Sequence, residues 1–531
     1  MTSIVDQIKA KANDAFKSNR FADAAGLYTW AIDHAIETNA DGKVKAVLYS
    51  NRSATSIKLE QYGYAIIDAT AAIEMNPGYV KGYYRRAGAQ FALTKYKEAK
   101  KDYALIIKML PGDKDALLKL KECDKRIREI AFAKAIESDS LRVSVCDTVD
   151  VATITVDDSY SGPRIQDDGV VTEDFIHSLV DAFKAQKTLH LKYAMSIILA
   201  AKKIMDALPN IVEIPVNAAD TITVCGDVHG QYYDLTNAIF KENGMPSATN
   251  PYVFNGDFVD RGSFSVEVIL TLLAIKVWCP EAIHLTRGNH ESQNMNRIYG
   301  FQGEVQAKYT NTVFSLFSEF FQSLPLAFIL DGSGEKDGRK AFIVHGGLFS
   351  KDGVTLDEIN QINRNCEPDS GIMSEMLWSD PQDQNGWGVS KRGIGVAFGP
   401  DVTHRFLDNN GLDIIVRSHE MKDKGYEVQA EGRLITIFSA PNYCDQMGNQ
   451  GAFIKFDHKM EPKFVQFSAV PVSHSFTPTS HLVSTVVLPP ERHFCKCHEN
   501  LTLPLSHYQC VCFLSFSNST LKYGPCNTLR M

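Results

Sequence analysis

The stretch NGDFVDRGS at residues 255–263 sets Asp257 and Asp260 three positions apart, places Arg261 directly after the second, and brackets the group with Gly256 and Gly262. Comparable polar clusters end other short apolar runs: TITVCGDVHG, AIHLTRGNHE, AFIVHGGLF, DIIVRSHE and LITIFSAPNYC. Taken together, these ends supply six oxygen and nitrogen donors, Asp227, His229, Asp257, Asn289, His345 and His419. Carboxylate, imidazole and amide groups without a thiolate suit a pair of first-row divalent or trivalent metal ions. Gly226, Gly230, Gly256 and Gly288 would let the backbone turn sharply beside such ligands. A single histidine would be read as a satisfied core or surface residue; six donors at equivalent positions reverse that reading.

The elements that must position these donors are short. Runs of four or five residues rich in Val, Ile and Phe are too brief for helices and read as buried strands, so the chemistry sits where five strands end. Ahead of them, TEDFIHSLVDAFKAQ and HLKYAMSIILAAKKIMDAL read as helices, with Thr172 and Asp174 near the first N-cap. Residues 125–166 continue helically through RIREIAFAKAI and then become a linker rich in Ser, Asp, Gly and Pro, with ATITV expected as one strand.

Residues 1–124 carry an internal repeat. Ser53, Ala65, Ala72 and Pro77 are answered 34 residues later by Ala87, Ala99, Ile106 and Pro111, and Ala12, Ala24, Tyr28 and Ala31 form an earlier copy followed by an expected longer loop at ETNADGK. Small residues let paired helices approach, Tyr83 and Tyr103 fill gaps, and proline stops each second helix. The pattern resembles three tetratricopeptide repeats. Lys9 and Asn13 share a helix face, as do Lys81 and Arg85, and Asn51 is equivalent to Arg85 one repeat earlier, so stacking lines all five along one concave groove. That set resembles the two-carboxylate clamp of repeat domains that take the acidic C-terminal tail of the 90-kDa heat-shock chaperone, whose terminal carboxylate and an aspartate would satisfy it.

GDVHG, GDFVDRG and RGNHE, about 30 residues apart, match the signature of the metallophosphoesterase superfamily, and SAPNYCDQMGN with HGGLF is similar to the phosphoprotein phosphatase family of serine/threonine phosphatases. The fold implied is an all-α repeat domain over 1–124, a helical extension and linker over 125–166, and over 167–471 an α/β metallophosphoesterase domain with a central β-sandwich flanked by helices. The resemblance implies two metal ions, manganese or iron and zinc, with magnesium an option. It places Asp227, His229 and Asp257 on one metal, and Asp257, Asn289, His345 and His419 on the other. A hydroxide shared by the metals would attack phosphorus without a phosphoenzyme. It further implies that Asp260 pairs with His290 as general acid, that Arg261 and Arg392 of SKRG grip the phosphate, and that Asn289 and Tyr443 complete the pocket. Members with repeats would be restrained by them until a chaperone tail or fatty acid intervenes, with Glu60 reaching the phosphate-binding arginine. Arg287 reads as a structural counter-charge, and Cys444 has no place in a two-metal mechanism.

The expected partners are phosphoproteins and the chaperone tail. The 531 residues carry a net charge of −8, which divides into roughly +4 over residues 1–124 and about −12 over the rest. A basic repeat block suits an acidic partner, but no run of Lys and Arg interleaved with aromatics suggests nucleic acid. With no apolar run long enough for a membrane span, and with Cys123, Cys146, Cys225, Cys279, Cys366 and Cys444 at no bridging spacing, a cytoplasmic and nuclear monomer is expected. LDGSGEKDGRKAFIVHGG reads as a surface-loop insertion before His345. After residue 471 the chain departs from the family. In place of a short inhibitory helix stands a tail with Cys495, Cys497, Cys510, Cys512 and Cys526, expected to be disordered rather than a zinc site, and to leave basal activity raised. A dead docking scaffold and a nucleotide or diester hydrolase are the competing functions; the intact donors oppose the first and SAPNYC the second.

Overall fold

The computed structural model describes residues 3–139, 144–166 and 169–471. The cysteine-bearing tail lies outside them. Seven helices, each packed on the next, open the chain: Ile4–Lys17, Phe21–Glu37, Gly42–Lys58, Tyr62–Met75, Val80–Ala92, Tyr96–Met109 and Lys114–Asp139. Ala12, Ala24, Ala31, Ala65, Ala72, Ala87 and Ala99 are fully buried along the seams, where a larger side chain would force the helices apart. The 34-residue offset also carries a half-buried ion pair that composition alone did not single out. Arg52 grips Asp68 at 2.7 and 2.8 Å, and Arg86 repeats the fork on Asp102 at 2.8 Å through both nitrogens. Each guanidinium also stands 5.7 Å from a tyrosine ring, Tyr49 in one repeat and Tyr83 in the next.

Two local expectations are corrected. No longer loop forms at ETNADGK; only residues 38–41 separate the second and third helices, and these are 17 residues each against 13 or 14 for the other repeat helices. The helical period persists through AIDHAIE, and Asp41 caps the next helix by accepting from the Lys43 N–H. ATITV is not a strand; its first two residues belong to a 3-10 turn, Val151–Thr153, begun by Asp150 accepting from the Ala152 N–H. Val151, Ile154 and Val156 pack against the hydrophobic core built by the helices that follow, so no sheet edge is offered to that backbone. The helix Lys114–Asp139 carries the chain past residue 124 through RIREIAFAKAI, the helical continuation expected there.

Two sheets form the sandwich. One has the order Lys463–Phe467, Gly451–Phe456, Ile222–Cys225, Tyr252–Phe254, Ile283–Leu285, its last three strands parallel. The other runs Ile211–Pro215, Ala327–Asp331, Lys340–Val344, Ile414–Arg417, Leu434–Ile437, Tyr426–Gln429. Alternation assigns each side chain to a face. Val253 joins Ile222, Val224, Ile343, Val416 and Ile437 between the sheets. Tyr252 and Phe254 point the other way, into the layer built from Glu173–Lys184, Leu191–Asp206, Ser265–Trp278 and Asn311–Ser323. Thr172 caps the first of these helices by accepting from the Phe175 N–H. The Ala327–Asp331 and Lys340–Val344 strands pair antiparallel, and residues 332–339 form the turn expected as a loop. The six cysteines of the described residues are free, and among those residues no helix is long and apolar enough to cross a membrane.

Candidate active site and metal centre

Both sheets contribute donors. Asp227, His229, Asp257 and Asn289 follow strands of the five-stranded sheet, whereas His345 and His419 follow Lys340–Val344 and Ile414–Arg417 of the six-stranded one. The sheets meet at Gly226, where a Cβ would stand 2.2 Å from the Ile437 carbonyl oxygen; only glycine permits that approach. Asp227 then forms a bridge to Phe438, and its Oδ1 accepts from the His419 N–H at 3.1 Å. His229, Asp257, Asp260, Arg261 and His419 all adopt left-handed backbone, with φ of 40, 51, 70, 69 and 71°. Such conformations are costly outside glycine, and their concentration here marks a site whose surroundings hold side chains in fixed aim.

Asp257 is central. Its Oδ2 lies 3.5 Å from His229 Nε2 and 3.4 Å from His345 Nε2, while Oδ1 accepts from the His290 N–H at 2.8 Å. Candidate ligand atoms of Asp257, His345 and His419 lie within 4.8 Å of one another, as do those of His229, Asp257 and His290. Asp257 is common to both groups. His290, however, commits Nδ1 to Asp260 Oδ2 at 2.8 Å. Asn289 Oδ1 is 2.9 Å from His345 Nε2, whose other nitrogen meets the Asn255 carbonyl at 2.7 Å. His229 Nδ1 is likewise fixed on the Val259 carbonyl, 2.9 Å away, so both rings present Nε2 to the centre.

The electrostatics fit two cations. Burial opposes ionisation of Asp257, but His345, His290 and His229 hold its carboxyl far below the ordinary range. Burial and the positive charge of Arg392 push His419 well below the usual imidazole range, leaving a neutral ring whose buried Nε2 has no hydrogen-bond partner among the described residues. An unpaired lone pair of that kind is what a metal takes. His345, despite burial, is raised to about 9 by Asp257, so metal entry there would displace a proton.

Glu291 was missed as a functional residue although it ends the quoted RGNHE. Its Oε2 accepts from the N–H groups of Asp257 and Gly288 at 2.7 and 2.8 Å, and Oε1 from that of Phe258 at 2.9 Å. It ties the two ligand loops together from beneath. Arg287 is fully buried and donates to the backbone carbonyls of Glu291, Arg364 and Cys366 at 2.9–3.1 Å, rather than to the acidic ligands.

Around the donors lie Arg392, Arg261 and Tyr443. Arg392 is pinned by Asp380 at 2.7 Å and by the His419 carbonyl at 2.7 Å. The Arg261 guanidinium lies 3.8 Å over the Tyr299 ring, and Tyr443 stacks obliquely on His229 with 5.2 Å between centroids. Arg261 is already engaged by the repeats. Its Nη1 donates to Glu60 Oε1 at 2.7 Å, and Nη2 bonds the other carboxylate oxygen. Although burial opposes it, Arg261 holds Glu60 below its usual range, assisted by His290 and Arg392.

The contact extends along the backbone. Gln61 gives the helix Tyr62–Met75 no side-chain cap; instead the Lys391 carbonyl accepts from the Gly63 and Tyr64 N–H groups at 2.9 and 3.3 Å. Lys95 Nζ donates to the Gly393 carbonyl at 3.2 Å. Elsewhere on the repeats, Asn51 Nδ2 reaches Asn13 Oδ1 at 3.4 Å, joining the first and third helices. Lys9 instead bonds Asp6 on its own helix at 2.7 Å, and Lys81 is exposed.

Residues 221–423 match the family model for calcineurin-like phosphoesterases, and residues 120–213 that for the PPP5 TPR repeat region. The chain is 51% identical over 468 residues to serine/threonine-protein phosphatase 5 of Homo sapiens, covering 88% of this chain and 91% of the relative. Against the protein of the same description from Arabidopsis thaliana the identity is 48%, covering 88% and 95%. A solved phosphatase from Saccharomyces cerevisiae, described as similar to human phosphatase PP5, superposes with a TM-score of 0.53 at 41% identity, covering 56% of this chain and 97% of its own. With a repeat block, a two-sheet metallophosphoesterase domain and this extent of identity, the chain belongs to the serine/threonine-protein phosphatase 5 family.

Proposed function

We propose that the chain hydrolyses phosphoserine and phosphothreonine in proteins, with Asp227, His229 and Asp257 holding one metal ion and Asp257, Asn289, His345 and His419 a second. The observation that carries this is Asp257 shared by the donor groups His229, Asp257, His290 and Asp257, His345, His419, the second of which spans both sheets. A bound pair of divalent ions would lower the pKa of a water and neutralise phosphoryl charge; manganese, or iron and zinc, suit these donors, with magnesium an option. Arg261 and Arg392 bind phosphate oxygens with planar guanidinium forks, with Asn289 and Tyr443 closing the pocket. His290, aligned by Asp260 at 2.8 Å, donates a proton from Nε2 to the departing serine or threonine oxygen. Turnover of a phosphoserine peptide that needs added manganese and falls at least about 100-fold in Asp257→Asn is the expected result; turnover in the presence of excess chelator, or preference for a dinucleotide, would overturn the assignment.

The repeats restrain this activity, with Glu60 standing where the substrate phosphate would meet Arg261. Support comes from the Glu60 pair and from the Lys391 carbonyl capping a repeat helix. Lys9, Asn13, Asn51, Lys81 and Arg85 form the clamp for the acidic C-terminal tail of the 90-kDa chaperone, which would recruit the enzyme and loosen the restraint. A cytoplasmic and nuclear monomer meeting its phosphoprotein substrates on that chaperone is consistent with a basic repeat block.

A further inference from the structure

The pair Asp260 and His290 has a third member. Asn296 sits on the helix Gln293–Tyr299 and is 1% exposed. Its Nδ2 donates to Asp260 Oδ2 at 3.1 Å and to the His290 carbonyl at 2.7 Å. Its Oδ1 is buried, with no hydrogen-bond partner among the described residues. An apolar side chain of the same shape could make neither of the two bonds from Nδ2. The opposite amide orientation would aim Oδ1 at two acceptors and is excluded by them.

The geometry points to Asn296 as a positioning residue for proton donation by His290: one amide NH2 holds the carboxylate that aligns the ring and the backbone that carries it. Phe301 N–H fixes the other oxygen of Asp260 at 2.9 Å, and the Asp260 N–H donates to Ser265 Oγ at 3.1 Å. Those two bonds leave the carboxylate free to swing about Oδ1, and Asn296 removes that freedom. Since Nδ1 of His290 meets the same Oδ2, movement of that oxygen swings Nε2 away from the leaving group. The inference rests on the general-acid role proposed for His290. In the step concerned, a hydroxide oxygen adds to phosphorus, the P–Oγ bond breaks, its electron pair goes to Oγ, Oγ takes the Nε2 proton, and the neutral His290 ring then regains from solvent the equivalent of the proton that water lost in forming the hydroxide.

The test uses leaving groups. A serine alkoxide needs that proton, whereas 4-nitrophenolate leaves without it. The full chain, Asn296→Ala, the near-isosteric Asn296→Leu and His290→Gln are assayed on a phosphoserine peptide and on 4-nitrophenyl phosphate. Expected for both Asn296 variants is a kcat on the peptide lower by on the order of 10- to 100-fold, a kcat on the aryl ester within about 3-fold, and little change in KM. The ratio of the two rates does not depend on the fraction of variant that folds. Equal loss on both substrates, or no loss on the peptide, overturns the role of Asn296. If His290→Gln itself shows no selective loss on the peptide, the general-acid assignment fails first and the inference with it.

Discussion

Gly63 offers a direct way to separate the repeats from the catalytic mouth. It lies in the first turn of Tyr62–Met75, and a Cβ built there would stand 2.2 Å from the Ser390 carbonyl oxygen and 2.6 Å from Gly393 N. Ordinary contact begins at 3.4 Å, so Gly63→Ala requires the surfaces to part by about 1 Å. That displacement carries the Gly63 and Tyr64 N–H groups, now 2.9 and 3.3 Å from the Lys391 carbonyl, beyond hydrogen-bond range. Two net bonds of about 1 kcal/mol each sum to about 2 kcal/mol, which favours the parted state by about 30-fold. The repeats themselves should not suffer, because alanine in a helix is up to about 1 kcal/mol better than glycine. Basal hydrolysis of 4-nitrophenyl phosphate by the full chain is therefore expected to rise towards the rate of the chain freed of its repeats. Gly88→Ala is the matched control, since its Cβ meets nothing within 4 Å. An unchanged basal rate in Gly63→Ala, with helicity and thermal stability retained, would refute the steric argument.

Other consequences follow from the same contacts. Glu60→Gln should raise basal activity, and high salt should narrow its difference from the parent chain, because the Arg261–Glu60 pair is only partly buried, with 17% and 38% of the side chains exposed. Lys81→Glu should weaken binding of a peptide ending in an acidic residue by at least about 10-fold in a calorimetric titration, while aryl phosphate turnover stays unchanged. Cys444→Ser should leave kcat within about 2-fold, because the Cys444 side chain is exposed and attack by a hydroxide needs no thiol; a larger loss would give the thiol a part in catalysis. Stripping metal with a chelator should abolish turnover, and manganese should restore it.

Several features were legible without coordinates because they are local in the chain. Short apolar runs ending in Gly-Asp or Gly-Asn identify strands and the donors at their ends, since burial imposes strand character and a ligand loop imposes glycine. A 34-residue offset in Ala and Pro likewise discloses the repeats, because helix packing demands small residues at fixed steps. ATITV misled because its apolar alternation fits either a strand or a turn laid on helices, and pairing depends on a neighbour that the segment does not encode. The longer loop expected at ETNADGK failed for a related reason: extra residues can extend a helix as readily as a connection.

The types of the six donors and their spacing belong to the sequence alone. Tertiary structure decided that they come from two sheets rather than one, that Glu291 binds two loops from below, that Asn296 completes the Asp260 and His290 pair, and that the Lys391 carbonyl caps a repeat helix. Each is a meeting of groups far apart in the chain, fixed only when burial between sheets and helices selects one arrangement from many that the same local preferences would allow.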